Sequence, residues 1–226
     1  MSAELIVALD VAKLEDAERL VEMLYPTVRL FKIGSQLFTA AGPEAVQMVG
    51  KAGGKVFLDL KFHDIPHTVA CAVSSCAGLS VFMMTVHILG GQEMMQFAVQ
   101  AAKQKASELG IERPKIVGVT VLTSDRAAEE TQKTVVARAL SAKKAGLDGV
   151  VCSVQEAAAV RKECGKDFII VTPGIRSPGD AKGDQKRVAT PAEAMAAGSD
   201  YLVVGRPIVA AADPKRAASD FIRQAL

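Results

Sequence analysis

Val56-Phe57-Leu58-Asp59-Leu60-Lys61-Phe62-His63-Asp64-Ile65-Pro66-His67-Thr68 is the stretch from which the rest of the chain can be read. It opens apolar on consecutive positions, as a strand buried on both faces does. Three charges follow, and from Val69 to Leu79 apolar residues recur at helical spacing. The charges Asp59, Lys61 and Asp64 therefore fall where a strand ends and a helix begins. Asp59 and Lys61 are two apart, so on a strand they share a face. Asp64 comes after the strand, where the chain is free to fold back. An arbitrary D-x-K-x-x-D match is most often a solvated ion-pair network. Its place at the end of a doubly buried strand sets this one apart, because surface charges do not need such a support.

The same unit recurs in both directions. Apolar runs at Leu5–Leu9, Arg29–Gly34, Val81–His87, Lys115–Leu122, Gly149–Cys152, Phe168–Thr172 and Tyr201–Val204 alternate with helical patterns. Those patterns cover Leu14–Leu24, Pro43–Ala52, a face through Met94, Phe97 and Ala101, Thr131–Ala145, the segment up to Cys164, and Asp213–Gln224. Ser153 with Glu156, and Thr190 with Glu193, read as capping boxes that open helices. Eight strands alternating with helices over 226 residues predict one domain, residues 1–226, folded as an α/β (β/α)8 TIM barrel. An open doubly wound sheet is the structural alternative. It would carry a glycine fingerprint after the first strand, where this chain has Asp10-Val11-Ala12-Lys13.

Half of the residues are hydrophobic and the net charge is +2, with basic residues dispersed. No nucleic-acid footprint is indicated. No stretch nears the ~20 apolar residues of a membrane helix, and the N-terminus enters a strand with no leader pattern. Four cysteines without C-x-x-C spacing suit reduced thiols in a cytoplasmic protein. Metal sites are not expected. His63 and His67 are four apart, but Pro66 intervenes and no third ligand is evident, so packing or hydrogen bonding is their expected role.

Barrel chemistry sits at the C-terminal ends of strands. Asp10, Lys32, Asp59, Lys61, His87, Thr123, Arg176 and Arg206 all fall at or near such ends. Lys32 lies inside an apolar run and needs a carboxylate partner there. Pro173-Gly174-Ile175-Arg176 and Val204-Gly205-Arg206 place glycine backbone and a guanidinium after the last two strands. Glycine lets backbone N–H approach an anion, and arginine grips phosphate in bidentate fashion. The polar segment Ser177–Ala189 then reads as a lid over that anion.

With these residues in place, the chain resembles the orotidine 5′-phosphate decarboxylases of the bacterial type nearly end to end. The resemblance is carried by Ala8-Leu9-Asp10, Phe31-Lys32-Ile33-Gly34, Asp59 to Pro66, Thr120-Val121-Leu122-Thr123-Ser124, Pro173 to Arg176, and Val204-Gly205-Arg206-Pro207-Ile208. It implies cofactor-independent conversion of orotidine 5′-phosphate to UMP and CO₂, the last step of UMP biosynthesis. Lys61 is then the proton donor, flanked by Asp59 and Asp64, with Lys32 completing an alternating array. Asp10 and Lys32 bind ribose hydroxyls, and Thr123 and Ser124 lie by the pyrimidine. Arg176, Gln185, Gly205 and Arg206 hold the phosphate, with Gln185 bridging lid and base, and Pro173 also counts among the substrate-binding residues. A homodimer is implied, with Asp64, Ile65 and Thr68 reaching the neighbouring subunit's site. The chain departs from the family pattern at Ile88-Leu89, where small residues are usual, and at His67, where asparagine is commoner. The D-x-K-x-x-D element also occurs in magnesium-dependent 3-keto-L-gulonate-6-phosphate decarboxylases and hexulose-phosphate synthases. These are the alternative reading, as is a non-catalytic UMP-binding barrel.

Overall fold

Each of the eight apolar runs becomes a strand, and the strands close into one parallel barrel in sequence order. The computed structural model describes residues 3–121, 128–177 and 188–225. The strands are β1 (Glu4–Ala8), β2 (Leu30–Gly34), β3 (Lys55–Phe62), β4 (Met83–His87), β5 (Lys115–Val119), β6 (Gly149–Val151), β7 (Ile169–Thr172) and β8 (Tyr201–Val204). The helices between and after them are α1 (Leu14–Leu24), α2 (Ser35–Ala41), α3 (Pro43–Lys51), α4 (Pro66–Ala77), α5 (Gly91–Leu109), α6 (Ala128–Ala145), α7 (Val154–Cys164), α8 (Pro191–Ala196), α9 (Arg206–Val209) and α10 (Pro214–Gln224). The (β/α)8 expectation is met, and the doubly wound alternative falls because β1 pairs with β8.

Closure divides the apolar residues into two cores. Alternate strand residues point outward to meet the helices, and there Val7, Phe31, Leu58 and Met84 join Val21, Val73, Met94 and Ala98. The residues of opposite parity fill the barrel, where Ile6, Leu30, Phe57, Met83, Val117, Val171 and Val203 pack together. The period of two explains the double burial of the strands. It also fixes what lies above the inner core. Two residues beyond Leu30, Phe57, Met83 and Val203 come Lys32, Asp59, Thr85 and Gly205.

Several boundaries differ from the sequence reading. Before α3 the chain forms an extra helix, α2, seven residues long and too short to show a period. A proline at the first position of α3 prevents the two from running on as one. β3 runs on to Phe62, past the expected end at Leu60. Leu58 pairs with Met84 and Phe62 with Val86, so β3 carries two more residues than the stretch of β4 it faces. This bulge holds Lys61 at φ 53°, in the left-handed region. The described part of β5 ends at Val119, earlier than expected. Both capping boxes form: Ser153 N–H donates to Glu156 Oε2 at 3.1 Å and Thr190 N–H to Glu193 Oε2 at 2.8 Å. The departure at Ile88-Leu89 forms a 3₁₀ turn that buries Ile88 and exposes Leu89.

Candidate active site

A cavity of about 470 Å³ opens at the C-terminal mouth of the barrel. Its floor is the top of the inner core, with Ala8, Phe57, Val151, Val171 and Val203 in the lining. Its polar wall is a chain of alternating charges. Lys32 Nζ lies 2.9 Å from Asp10 Oδ1 and 3.8 Å from Asp59 Oδ2, and Lys61 Nζ lies 2.8 Å from that same Asp59 oxygen. The carboxylate Lys32 required is thus supplied twice. Lys32 and Asp59 are only 12% and 14% exposed, so their attraction is weakly screened by solvent. Asp10, at 51%, sits at the rim. Asp59 and Lys61 do share a face, as alternation predicts, although the backbone between them is bulged rather than regular.

Asp64 stands apart. It is exposed, its Oδ1 accepts from Ile65 N–H at 2.6 Å, and it makes no ion pair with Lys61 among the described residues of this chain. Ile65 and Thr68 are exposed beside it at the start of α4. None of the three lines the cavity of its own chain.

Pro173, Gly174, Arg176, Gly205 and Arg206 line the cavity together, so the segments after β7 and β8 meet as expected. Gly174 has φ 79°, a turn that suits glycine. Arg176 is buried, and its Nη1 donates to Ile175 O at 2.8 Å. The two ends of the expected lid are held together. Arg176 N–H donates to Ala189 O at 2.9 Å, and Ala189 N–H to Gly174 O at 3.3 Å. Thr123, Ser124, Gln185 and residues 178–187 of the lid lie outside the described residues.

Two polar residues of the site were not anticipated. Gln36, in the first turn of α2, lines the cavity. Thr85, fully buried in β4, accepts from Lys61 N–H at 2.8 Å and donates to Asp59 Oδ1 at 3.1 Å. Near the mouth, His63 and His87 stack with ring centroids 5.1 Å apart. Burial pushes the His87 pKa below its ordinary value, helped by the positive field of His63, Arg138 and Lys61. His67 Nε2 lies 3.6 Å from Cys71 Sγ. No group of three or more metal-ligating side chains occurs among the described residues.

An alternating charge array over a closed parallel barrel, at the face where barrels do their chemistry, defines a TIM-barrel enzyme. Comparison with known proteins gives the family. The model of the orotidine 5′-phosphate decarboxylase/HUMPS family matches residues 3–221, and the chain belongs to that family. The orotidine 5′-phosphate decarboxylase of Moorella thermoacetica is 51% identical over 224 residues, covering 95% of this chain and 89% of the relative. That of Geotalea uraniireducens is 50% identical over 230 residues, covering 97% and 94%. The crystal structure of the Lactobacillus acidophilus orotidine 5′-phosphate decarboxylase superposes with a TM-score of 0.86 at 36% identity, covering 98% of each chain.

Proposed function

We infer that the chain decarboxylates orotidine 5′-phosphate to UMP and CO₂, the last step of UMP biosynthesis. The observation that carries this is the Asp10–Lys32–Asp59–Lys61 array, with Lys61 Nζ held 2.8 Å from Asp59 at the cavity wall. When the bond from C6 to the carboxylate breaks, its electron pair stays on C6 in the ring plane. The π system cannot delocalise it, so stabilisation has to come from a preorganised cation. The Lys61 ammonium supplies that charge and then gives C6 its proton, and the amine regains a proton from water. Repulsion between the substrate carboxylate and Asp59 is relieved as CO₂ leaves, a contribution secondary to that of Lys61. In this reading no cofactor or metal takes part.

Arg176, Arg206, Gly205 and Gln185 bind the phosphate, whose grip contributes binding energy far from the reacting carbon. Asp10 and Lys32 take the ribose hydroxyls. Thr123, Ser124 and Pro173 complete the substrate site. The enzyme acts as a homodimer with shared sites, and Asp64, Ile65 and Thr68 serve the partner's cavity. Two features support that reading: none of these residues lines the cavity of its own chain, and Ile65 is 66% exposed. With Asp64, the four groups Lys32, Asp59, Lys61 and Asp64 sum to zero charge before substrate arrives, and Asp10 at the rim adds one negative charge. We place the enzyme in the cytoplasm, with no nucleic-acid or membrane partner. No described helix is long and apolar enough to cross a membrane.

An absorbance assay with orotidine 5′-phosphate, with and without EDTA, tests the reaction. Chelator-resistant loss of substrate with formation of UMP is expected. Chelator-sensitive activity would point to the magnesium-dependent branch, and nucleotide binding without turnover to a non-catalytic barrel. Mixed Lys61→Ala and Asp64→Ala dimers test the shared site. The hybrid contains one intact site and should regain activity. No recovery despite verified subunit exchange contradicts a site built from two chains.

A further inference from the structure

We propose that Thr85 is a positioning residue for the proton donor, an inference that rests on the role given to Lys61 above. Its hydroxyl is the one group that touches both the Lys61 backbone and the Asp59 side chain among the contacts described. Lys61 N–H donates to Thr85 Oγ1 at 2.8 Å, and Thr85 Oγ1 lies 3.1 Å from Asp59 Oδ1. A hydroxyl carries one proton. Because its oxygen already accepts from Lys61 N–H, that proton is directed at Asp59. The carboxylate is thereby divided between two tasks. Oδ1 is taken by Thr85, and Oδ2 is turned to Lys61 Nζ at 2.8 Å and Lys32 Nζ at 3.8 Å.

The backbone contact matters for a second reason. Lys61 sits at φ 53° inside the β3 bulge. A residue with a side chain holds that conformation only where its surroundings enforce it. The bulge takes Lys61 N–H out of regular pairing, and the buried Thr85 hydroxyl meets it there. One oxygen atom thus fixes both the stem from which the ammonium projects and the carboxylate oxygen it meets. Threonine in a barrel strand is otherwise ordinary packing, and the experiment has to separate the two roles.

Thr85→Val keeps the shape and removes the hydroxyl, whereas Thr85→Ser keeps the hydroxyl and removes a methyl. The expected result on orotidine 5′-phosphate is a kcat about 10- to 100-fold lower for Thr85→Val, the range for losing hydrogen bonds to a charged group. KM and UMP affinity should stay within about threefold, and Thr85→Ser should keep kcat within about threefold of the parent. Thr85→Ala is read as Thr85→Val if the valine variant is too unstable to assay. Parental kcat without the hydroxyl overturns the proposal, as does equal loss in Thr85→Ser, which would assign the effect to packing. Lys61→Ala is assayed alongside: if it retains parental turnover the reading of the site fails first, and if it does not, a normal Thr85→Val refutes this inference alone.

Discussion

Both ends of the barrel carry ion pairs, and they use them differently. At the N-terminal end, Asp148 and Asp200 each stand just before a strand. Asp148 pairs with Arg113, with its Oδ1 2.5 Å from Nη2, while its Oδ2 accepts from Ile116 N–H at 2.7 Å. Asp200 Oδ2 takes Arg161 Nη2 at 2.7 Å and Ile170 N–H at 2.7 Å. Arg161 spends its remaining donors on the carbonyls of Gly165, Lys166, Phe168 and Gly198. These charges are tied into main chain and brace the starts of strands. At the C-terminal end, Asp59 meets two ammonium groups and a hydroxyl, and the lysines border an open cavity. Charges bonded to backbone hold a fold, and charges bonded to one another beside a cavity are available to a substrate.

Substitutions at the two ends should therefore separate activity from stability. Of the substitutions that compare the two ends, the largest effect is expected from Arg206→Ala at the mouth, which should cost on the order of 2–5 kcal/mol in kcat/KM with little change in melting temperature. Unaltered kcat/KM would contradict the phosphate assignment. Asp200→Ala at the other end should show the reverse, with roughly 2 kcal/mol less stability in urea unfolding and parental kcat/KM below the transition. A selective loss of activity there would erase the contrast. Gly34→Ala sharpens it from inside the mouth. A Cβ at Gly34 would lie 2.8 Å from Lys32 Nζ and 3.3 Å from Asp10 Oδ1, so that ion pair must shift. A loss of about tenfold in kcat/KM is expected, equivalent to ~1.4 kcal/mol, with folding retained. Full activity would contradict the expected loss and show that the Lys32 ammonium moves aside without harm to the site.

The smallest effect is pH-dependent. His87 has its pKa depressed in the folded state, chiefly by burial. The unfolded chain therefore binds more protons between the depressed value and the ordinary one near 6.5. Stability should fall as pH is lowered through that window, and His87→Gln should flatten the dependence. An unchanged slope in the variant would assign the effect elsewhere.

Much of the fold was legible because parallel strands buried on both faces print continuous apolar runs. Lys32 was legible as a charge that had to find a carboxylate, and both capping boxes were visible as short patterns. Position along a strand was less discriminating than it looked, because Lys55, Lys115, Asp148 and Asp200 are charges at N-terminal ends. Two of those, Lys55 and Lys115, place their ammonium groups over the Phe82 ring. What separates the ends is the partner of each charge, and partners are set by register between strands. The β3 bulge and the left-handed Lys61 are invisible for the same reason. Thr85 hid in an apolar run as an ordinary strand former, although counting by twos from Met83 places it above the inner core. Gln36 sits on a helix too short to show a period. Asp64 was expected beside Lys61 and also in the partner's site; within one chain it stands outside the cavity.

The most direct measurement is turnover of saturating orotidine 5′-phosphate by Lys61→Ala, with UMP binding followed on the same folded protein. A fall of about a thousandfold or more in kcat, the upper end of what is lost with a preorganised stabilising group together with the loss of the proton donor, with UMP still bound, is predicted. CO₂ release at the parental rate would contradict the account.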